Sequence, residues 1–438
     1  MPDSVVVANP ATLSAKTAED AVFRKVVQRI VPFLFLCYIV NFFDRTNIGY
    51  AQLSMREQLG FSNAIYGLGA SLFYVGYIAF EVPSNLLLQR IGAPRTIMRI
   101  MVLWGMMSTL MAFIATPLQF YLLRFLLGVG EAGFMPGILF YLSCWVPAAR
   151  RARVTALFML AIPLSGVIGG PISGAIMKGL DGALGVSGWQ WLFLLEGSPA
   201  ILLGVIAYFR LSRGPESAPW LSSDEKQLIG QALARDVPRT GKPGGGVAGV
   251  LRDPMLYLLA FYCIGMNGSI GGFSFWLPTI VKELGVADPL HIGLLVSLPY
   301  LAGAVTLFLV GRHSDRTQER RLHAALCMLV ASSGWLLLPI VQGQALMSML
   351  CISVATAATL GCLACFWSMI PLHFPHAVAV AFAAVSSLGS LGSLASPVMV
   401  GWISSMTGSV ASGTLYLGGV MILAASTLLW GTRGKIQA

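Results

Sequence analysis

An acidic and a basic residue stand side by side in an apolar stretch of this sequence. Asp44 and Arg45 occur in NFFDRTNIGY (41–50), directly after the uncharged run IVPFLFLCYIV (30–40). A charge in the middle of a bilayer costs roughly 2.5–3.5 kcal/mol on insertion scales, so intramembrane acids and bases usually pair and mark a functional site. An acid of this kind can carry a proton, and an arginine fork suits a carboxylate. The pair therefore indicates chemistry with protons and organic anions.

A second acid and base follow in RFLLGVGEAGFMPG (124–137). Arg124 and Glu131 are seven residues apart, which is about two helical turns, so both lie on one helix face. Counting about 1.5 Å per residue, Asp44 and Glu131 reach a similar depth. The charges of Asp44, Arg45, Arg124 and Glu131 sum to zero, and we predict one buried cluster in which each arginine is held by an acid. Because a buried ion pair is a poor way to gain stability, a functional cluster is favoured over a static brace.

Two further acids fall inside apolar stretches of the first half. Glu81 precedes VPSN and is expected to be interfacial or to latch a neighbouring helix end. Glu196, in WQWLFLLEGSPA, is expected to brace neighbouring helices. The helices predicted for the second half carry no acid or base away from their ends. The charged chemistry is therefore predicted to lie in the first half.

The composition requires lipid as the solvent for most of the chain. Of 438 residues, 56% are hydrophobic and 11% are charged, against about 25% charged in ordinary soluble domains, and the mean hydropathy is +0.77. A bilayer-spanning helix needs about 20 apolar residues. Such stretches predict twelve spans, at 30–52, 64–89, 97–115, 117–144, 152–178, 189–211, 254–283, 290–311, 321–341, 343–371, 376–403 and 411–432.

The distribution of Lys and Arg predicts the orientation. With both termini in the cytoplasm, all but five of the 28 basic residues lie on the cytoplasmic side; the five are Arg56, Lys178 and Lys282 outside, and Arg45 and Arg124 within spans. The sequence thus predicts an all-α integral membrane protein with twelve transmembrane helices in two pseudo-symmetric six-helix bundles. The predicted parts are a cytoplasmic tail (1–29), an N-terminal bundle (30–211), a Pro- and Gly-rich cytoplasmic loop (212–253), a C-terminal bundle (254–432) and a short tail (433–438).

A weak internal repeat links the two halves. GRHSDRTQERR (311–321) follows the eighth span, and NLLLQRIGAPR (85–95) stands at the matching place after the second. Such repeats are frequent in alternating-access transporters, and the first of these stretches resembles the cytoplasmic loop motif of the major facilitator superfamily, whose acidic and basic groups latch helix ends. The resemblance assigns a cytoplasmic gate to Gln89, Arg90, Arg95, Asp315, Arg316 and Arg320. Gln89 departs from the acidic residue of the motif, and the arginines also satisfy the positive-inside rule, so both explanations stay open.

Longer stretches resemble one branch of that superfamily, the anion:cation symporters, which include tartrate, phthalate and sugar-acid permeases and are related to sialin. The stretches are NFFDRTNIGYA, EVPSNLLLQRIGAPR, RFLLGVGEAGFMPGILFYLSCWVPAARRARVTALFMLAIPLSGVIGGPISG and FSFWLPTIVK. The resemblance implies proton-driven uptake of organic anions, with Asp44 and Glu131 as proton carriers. It implies substrate contacts from Arg45, Arg124, Tyr77, Trp367, Ser368, Ser386 and Ser390. The last two replace asparagines in SSLGSLGS (386–393), which favours a less hydroxylated or aromatic acid.

The expected cycle follows from charge balance. Protonation of an acid releases its arginine to a carboxylate, so proton and anion favour each other's binding, and the neutral loaded cavity can close and rock. We expect a proton-coupled importer, working as a monomer without a bound cofactor in a bacterial cytoplasmic membrane. An anion exchanger, uniporter or exporter is the alternative, whereas no motif supports an enzyme, a metal site or nucleic-acid binding. A channel is disfavoured because it needs neither the split arrangement nor buried ion pairs.

Overall fold

The computed structural model describes residues 10–147, 150–151, 154, 158, 160–235, 247–374 and 377–431. Regular secondary structure in this part of the chain is entirely helical. The first half comprises α1 (Pro10–Leu59), α2 (Asn63–Ile91), α3 (Ala93–Leu110), α4 (Pro117–Glu131), α5 (Phe134–Ser143), α6 (Ala161–Gly179) and α7 (Gly188–Arg210). The centre holds α8 (Ser223–Ala234) and α9 (Val247–Arg252), and the second half comprises α10 (Pro254–Glu283), α11 (Pro289–Thr317), α12 (Arg321–Leu337), α13 (Ala345–His373), α14 (Val378–Thr407) and α15 (Val410–Gly431).

Several helices begin where the local sequence provides a cap. Asp253 accepts a hydrogen bond from the Met255 amide at 2.8 Å, and Asp288 accepts one from the Leu290 amide at 2.8 Å. In both cases a proline occupies the first helical position, where its missing N–H is no loss. Thr116 and Gln119 form a capping box ahead of α4. These signals explain the starts of α4, α10 and α11.

The helices are built for a bilayer. Nine of those described, together with the stretch Pro117–Ser143 that includes α4 and α5, are long and apolar enough to span one. Two predicted spans are not among these ten. The predicted span 152–178 corresponds to α6, but its first residues include positions that the structure does not describe. The predicted span 321–341 corresponds to α12, which has 17 residues. Large apolar side chains such as Phe209 and Ile340 are 80% and 77% exposed, as lipid contact requires. The count of twelve spans, the bundle boundaries and the cytoplasmic termini stay predictions.

Three predicted boundaries differ from the structure. The first helix begins at Pro10, so the stretch assigned to a tail is largely helical. The segment 212–253, predicted as a loop, contains α8 and α9. The capping box of Ser222 and Glu225 starts α8, and Lys25 of α1 contacts Glu225 at 2.8 Å. The third difference lies within the fourth predicted span (117–144): the apolar stretch Pro117–Ser143 agrees with that span, but its helix is interrupted between α4 and α5.

Glycines allow the two halves to approach closely at their interface. A Cβ atom on Gly293 of α11 would lie 2.1 Å from the carbonyl oxygen of Gly170 in α6. A Cβ atom on Gly67 of α2 would lie 2.6 Å from the carbonyl oxygen of Pro397 in α14. Because these backbones touch, α6 against α11 and α2 against α14 form the seams between the halves.

Candidate functional site

Helices α1 and α4 bring Arg45 and Glu131 together inside the first half. The Nε atom of Arg45 donates to Oε1 of Glu131 at 2.5 Å, and its Nη2 contacts the same oxygen. The Glu131 side chain is fully buried, and its Oε2 has no hydrogen-bond partner among the residues that the structure describes. The guanidinium also lies over the ring of Tyr77, 5.3 Å from its centroid. One predicted ion pair and one predicted substrate contact therefore meet here.

The chain breaks its helix directly after Glu131. Ala132 has an extended ψ of 127°, and Gly133 has a positive φ of 86°, which an L side chain rarely adopts. A Cβ atom at Gly133 would also lie 2.6 Å from the Ser84 hydroxyl. The carboxylate thus sits at the end of α4, where the backbone is interrupted. Interrupted helices of this kind commonly form the binding sites of transporters.

Asp44 has no arginine partner in the described part of the chain, which corrects the prediction that each acid of the cluster holds a base. The Ser108 hydroxyl and the Asn47 amide donate to its Oδ1 at 2.5 and 3.1 Å. The Trp104 indole N–H donates to its Oδ2. Asp44 and Arg45 are neighbours on one helix, so their side chains point about 100° apart, and only Arg45 faces α4.

Arg124 is the second departure from the predicted cluster. Its side chain is 2% exposed, and in the described residues no acidic group pairs with it. Its guanidinium instead donates to the carbonyl oxygens of Gly69 and Ala70 at 3.4 and 3.3 Å. The rings of Phe73 and Phe275 lie 5.1 and 5.5 Å from it. Since Phe275 belongs to the second half, this cation, which forms no ion pair among the described residues, lies at the interface of the halves.

The predicted contacts of the second half are apart from the charged pair. Trp367 stacks on Phe382 with the ring centroids 4.7 Å apart. The Ser368 hydroxyl donates to the carbonyl oxygen of Cys365 at 2.7 Å, and that of Ser390 donates to Ser386 O at 3.0 Å, so both hydroxyls are bonded within their own helices.

Three other serines of α14 reach the first half, and one of them, Ser404, accepts a hydrogen bond from the Asn63 amide of α2 at 2.8 Å. Ser387 donates to Glu81 at 3.2 Å, and Ser393 interacts with Tyr74. Glu81 was expected to be interfacial or to latch a neighbouring helix end, and the structure places its contact within α14 rather than at an end of that helix. The motif match pointed to the asparagine positions, whereas other serines of α14, namely Ser387, Ser393 and Ser404, contact the first half.

The predicted gate residues are arranged differently in the two copies. In the second copy, Asp315 in the last turn of α11 and Arg320 directly before α12 form an ion pair at 2.5 Å, and Arg316 is exposed. In the first copy, Arg90 and Arg95 are exposed, and the Gln89 side chain lies outside the described residues. There Arg99 binds across to α2, donating to Ser84 at 2.6 Å. A gating role for these residues stays a prediction.

The predicted outer ends of the two halves are joined by polar contacts. Lys178 pairs with Asp288, and the hydrogen bond from Lys178 lowers the pKa of Asp288 below its usual range. Lys282 binds Glu57 at 3.0 Å. Gln52 donates to the carbonyl oxygen of Phe275 at 2.7 Å. Buried residues from the outer parts of α1, α2 and α4 also share one hydrophobic core with the second half. The protein is therefore closed at this end.

Comparisons with known proteins agree with this architecture. The family model described as Major Facilitator Superfamily matches residues 34–397. A putative tartrate transporter of Agrobacterium vitis is 43% identical over 94% of each chain. A putative metabolite transport protein, NicT, of Pseudomonas putida is 41% identical over 92% of each chain. A quinolone resistance transporter of Acinetobacter baumannii is 37% identical, covering 92% of this chain and 93% of that one. The solved E. coli xylose transporter XylE matches with a TM-score of 0.73 at 16% identity, over 94% of this chain and 99% of that one.

Proposed function

The chain belongs to the Major Facilitator Superfamily, and on that premise we propose that it imports an organic carboxylate together with protons by alternating access. One observation carries the proposal. Arg124 is a buried cation at the interface of the halves, without an acidic partner in the described residues, beside a second arginine that is held by a carboxylate. An uncompensated buried charge is costly, so such a site favours an anion.

Arg124 provides the first binding position for the anion. A guanidinium has five N–H donors, and the two carbonyl contacts of Arg124 are long, at 3.3 and 3.4 Å. A carboxylate is a stronger acceptor and takes two parallel N–H bonds from one arginine. The rings of Phe73 and Phe275 flank the guanidinium and exclude water, which strengthens that bond.

Arg45 provides a second binding position, which becomes available when Glu131 is protonated. In the structure its donors are occupied by Glu131. When Glu131 is protonated, its negative charge is removed and Arg45 is released to the substrate. The binding of the proton and that of the anion then favour each other, as linkage requires. This arrangement couples uptake to the proton gradient at a single ion pair.

Charge balance links the proton number to the anion. Asp44, Arg45, Arg124 and Glu131 together are neutral when both acids are ionised. Adding a monoanion and one proton keeps the sum at zero, and a dianion needs two protons, one on each acid. A neutral site passes most easily through the occluded state, because charge buried in low dielectric is costly. The protein without substrate then returns most easily when both acids are ionised, because the site is neutral without added protons.

The name of one relative, a putative tartrate transporter, supports a carboxylate substrate, and another relative is named as a metabolite transport protein. The alternative is an exporter or exchanger of the same superfamily, which the relative named for quinolone resistance supports. We place the protein in the bacterial cytoplasmic membrane as a monomer. The direction of transport and its coupling to protons distinguish these functions.

The test is uptake into liposomes that contain the purified protein under an inward proton gradient. The panel is tartrate, a sugar acid, phthalate, 4-hydroxyphenylacetate and succinate. Uptake of one acid that rises with the gradient and collapses with an uncoupler supports the proposal and names the substrate. Uptake that ignores the gradient means exchange or uniport. Proton-driven movement of a quinolone, with none of the acids moved, means the exporter alternative.

A further inference from the structure

The carbonyl oxygen of Phe275 is the point at which two helices of the first half are hydrogen-bonded to α10. The Nε2 atom of Gln52 in α1 donates to it at 2.7 Å, and the hydroxyl of Tyr66 in α2 donates to it at 3.2 Å. Gln52 and Tyr66 are 2% and 0% exposed, so both bonds are shielded from water. A Cβ atom on Gly49 of α1 would lie 3.1 Å from the same oxygen, so the two backbones approach closely. We call the two donors together with their carbonyl acceptor the outer latch.

The Thr279 hydroxyl lacks the acceptor that its position normally provides. Thr279 stands four residues after Phe275 in α10, and a helical threonine commonly donates to a carbonyl oxygen three or four residues before it. In the second half, Thr306 and Thr359 donate to the carbonyl four residues before them at 2.8 and 2.7 Å. Thr279 is 8% exposed, and its Oγ1 has no hydrogen-bond partner among the described residues. A buried hydroxyl is therefore left unpaired here, which is costly.

The outer latch explains why this hydroxyl is unpaired. A carbonyl oxygen has two lone pairs, and the carbonyl of Phe275 already accepts from both Gln52 and Tyr66. In the part of the chain that the structure describes, Oε1 of Gln52 is also buried without a partner. When the two donors move away, the Thr279 hydroxyl can donate to the carbonyl, and the Gln52 amide can reach water. The bonds lost on opening are thus largely replaced, as a two-state element requires.

A cavity beside the outer latch gives its donor space to move. The cavity has a volume of about 150 Å³, and residues of α1 and α10 that include Gln52 and Thr279 line it. A single water molecule needs only about 10–15 Å³ of such space. The Gln52 side chain can therefore leave the carbonyl without first displacing a packed neighbour.

The side chain of Phe275 lies at the candidate anion site. Its ring centroid is 5.5 Å from the guanidinium carbon of Arg124, and the ring packs edge-on against Tyr74 with the centroids 6.2 Å apart. The outer latch holds the backbone of this residue, while its ring covers the buried arginine. Release of the latch lets the ring move away with the second half and uncovers Arg124 toward the outside. One residue therefore joins outer closure to the accessibility of the cation.

We propose that Thr279 competes with the two donors of the outer latch for the carbonyl oxygen of Phe275, and that this exchange switches the outer end between closed and open. With the latch formed, Arg124 is covered. With Thr279 bonded to the carbonyl, the latch is released and an external anion can reach the arginine. Thr279 and the latch donors are positioning residues, since they act through Phe275. The exchange itself does not depend on what is transported, whereas its effect on uptake rests on the proposed function.

The test is amide hydrogen exchange of the full-length protein in lipid nanodiscs, without substrate, measured at the outer and inner helix ends. Thr279→Val keeps the shape of the side chain and removes a bond from the open state only. It should slow exchange at the outer ends about 2- to 10-fold, the effect of one net hydrogen bond, without slowing it at the inner ends. Tyr66→Phe removes one latch bond from the closed state. It should speed exchange at the outer ends by a similar factor without speeding it at the inner ends.

Two variants are matched controls for Thr279→Val. Thr279→Ser keeps the hydroxyl and should exchange as the wild-type chain does. Thr306→Val removes a hydroxyl that is bonded within α11, so it should not slow exchange at the outer ends. The double variant of Tyr66→Phe and Thr279→Val loses one bond in each state and should return toward wild-type exchange. The proposal is overturned if Thr279→Val leaves outer exchange unchanged, if Thr279→Ser slows it equally, or if Tyr66→Phe speeds exchange at both ends alike.

Uptake into liposomes separates this inference from the proposed function. A smaller outward-open fraction weakens the apparent affinity for an external anion in proportion. Thr279→Val should therefore raise the KM for uptake by about the same factor as it slows exchange, and Tyr66→Phe should lower it. If exchange changes as expected while none of the panel acids is taken up, the function is wrong and the outer latch stands. If an acid is taken up with protons while Thr279→Val changes neither exchange nor KM, the latch is wrong and the function stands.

Discussion

Substitution of Glu131 by Gln removes the acidic partner of Arg45 while keeping the size of the side chain. In the structure, Nε and Nη2 of Arg45 both contact Oε1 of Glu131, and the carboxylate is fully buried. An anion that binds Arg45 must displace this carboxylate. The Gln side chain, like protonated Glu131, carries no charge and competes weakly. We therefore expect the variant to bind the anion more tightly and to lose its response to protons.

The size of the effect follows from the bonds that are exchanged. A hydrogen bond to a charged group is worth about 1.5–3 kcal/mol. In the variant the anion no longer has to displace one such bond between Arg45 and Glu131. Its dissociation constant should therefore be about 10- to 100-fold lower at neutral pH, since 1.4 kcal/mol is a factor of ten. Accumulation changes in the opposite direction. A gradient of one pH unit supplies about 1.4 kcal/mol per proton, so the inside-to-outside ratio should fall about tenfold with the loss of one coupled proton.

The assay combines equilibrium binding at several pH values with uptake of the acid identified by the liposome panel. The expected signature is a low dissociation constant that no longer depends on pH, with counterflow kept and accumulation reduced. Glu216→Gln, in the exposed central segment, is the matched control and should behave as the wild-type chain does. The reasoning is refuted if Glu131→Gln keeps wild-type accumulation, or if its binding keeps the wild-type pH dependence.

Three further outcomes are expected. Arg124→Gln should weaken anion binding about 100-fold or more, because a bidentate charged contact is lost, and Arg124→Lys should restore only part of the affinity in the same binding assay. Gly128→Ala should lower the melting temperature, because its Cβ would lie 1.9 Å from the carbonyl oxygen of Phe73, whereas Gly419→Ala has open space and should leave it unchanged. The bond from Lys178 lowers the pKa of Asp288, so this contact is fully present above the usual Asp pKa and is lost as pH falls through the lowered value. Asp288→Asn should speed amide hydrogen exchange at the outer helix ends at neutral pH. Unchanged exchange would mean that the Lys178–Asp288 contact does not hold these ends together.

The sequence was sufficient to predict that Arg45 and Glu131 belong to one buried cluster, although it did not assign this arginine to this acid. Both residues lie in apolar runs, their depths follow from the rise per residue, and a buried charge needs a partner. The starts of α10 and α11 were equally accessible, since Asp-Pro pairs stand at 253–254 and 288–289. Local chemistry and one-dimensional spacing decide such features.

The surroundings of Asp44 could not be predicted in the same way. The spacing argument considered only α1 and α4, whereas the donors to Asp44 include Trp104 and Ser108 of α3. Neither residue carries a charge, so neither was a candidate partner. Their position depends on how α3 packs against α1, which is a property of the assembled helices. A signal was present in the adjacency of Asp44 and Arg45, because successive residues on a helix face different neighbours.

The break after Glu131 shows a different limit. The run RFLLGVGEAGFMPG has four glycines, each of which could allow close packing or a helix interruption. Of these, Gly128 packs against the backbone of α2, and Gly133 takes the positive φ. The composition indicates that something unusual happens in this stretch, but the choice between the two uses of glycine depends on the neighbouring helix.

The two acids that we propose as proton carriers, Asp44 and Glu131, differ in what their protonation would change. Glu131 faces a cation, so a proton there alters the charge available to the substrate and acts on binding. Asp44 faces three neutral donors, so a proton there leaves Arg45 untouched and acts on the hydrogen bonds that join α1 to α3. Ser108 can reverse its hydroxyl and Asn47 can turn its amide, whereas the indole N–H of Trp104 can only donate. Protonation of Asp44 should therefore weaken the Trp104 contact and loosen α3 from α1. In this scheme one acid sets affinity and the other sets conformation, which explains why a symporter would keep both.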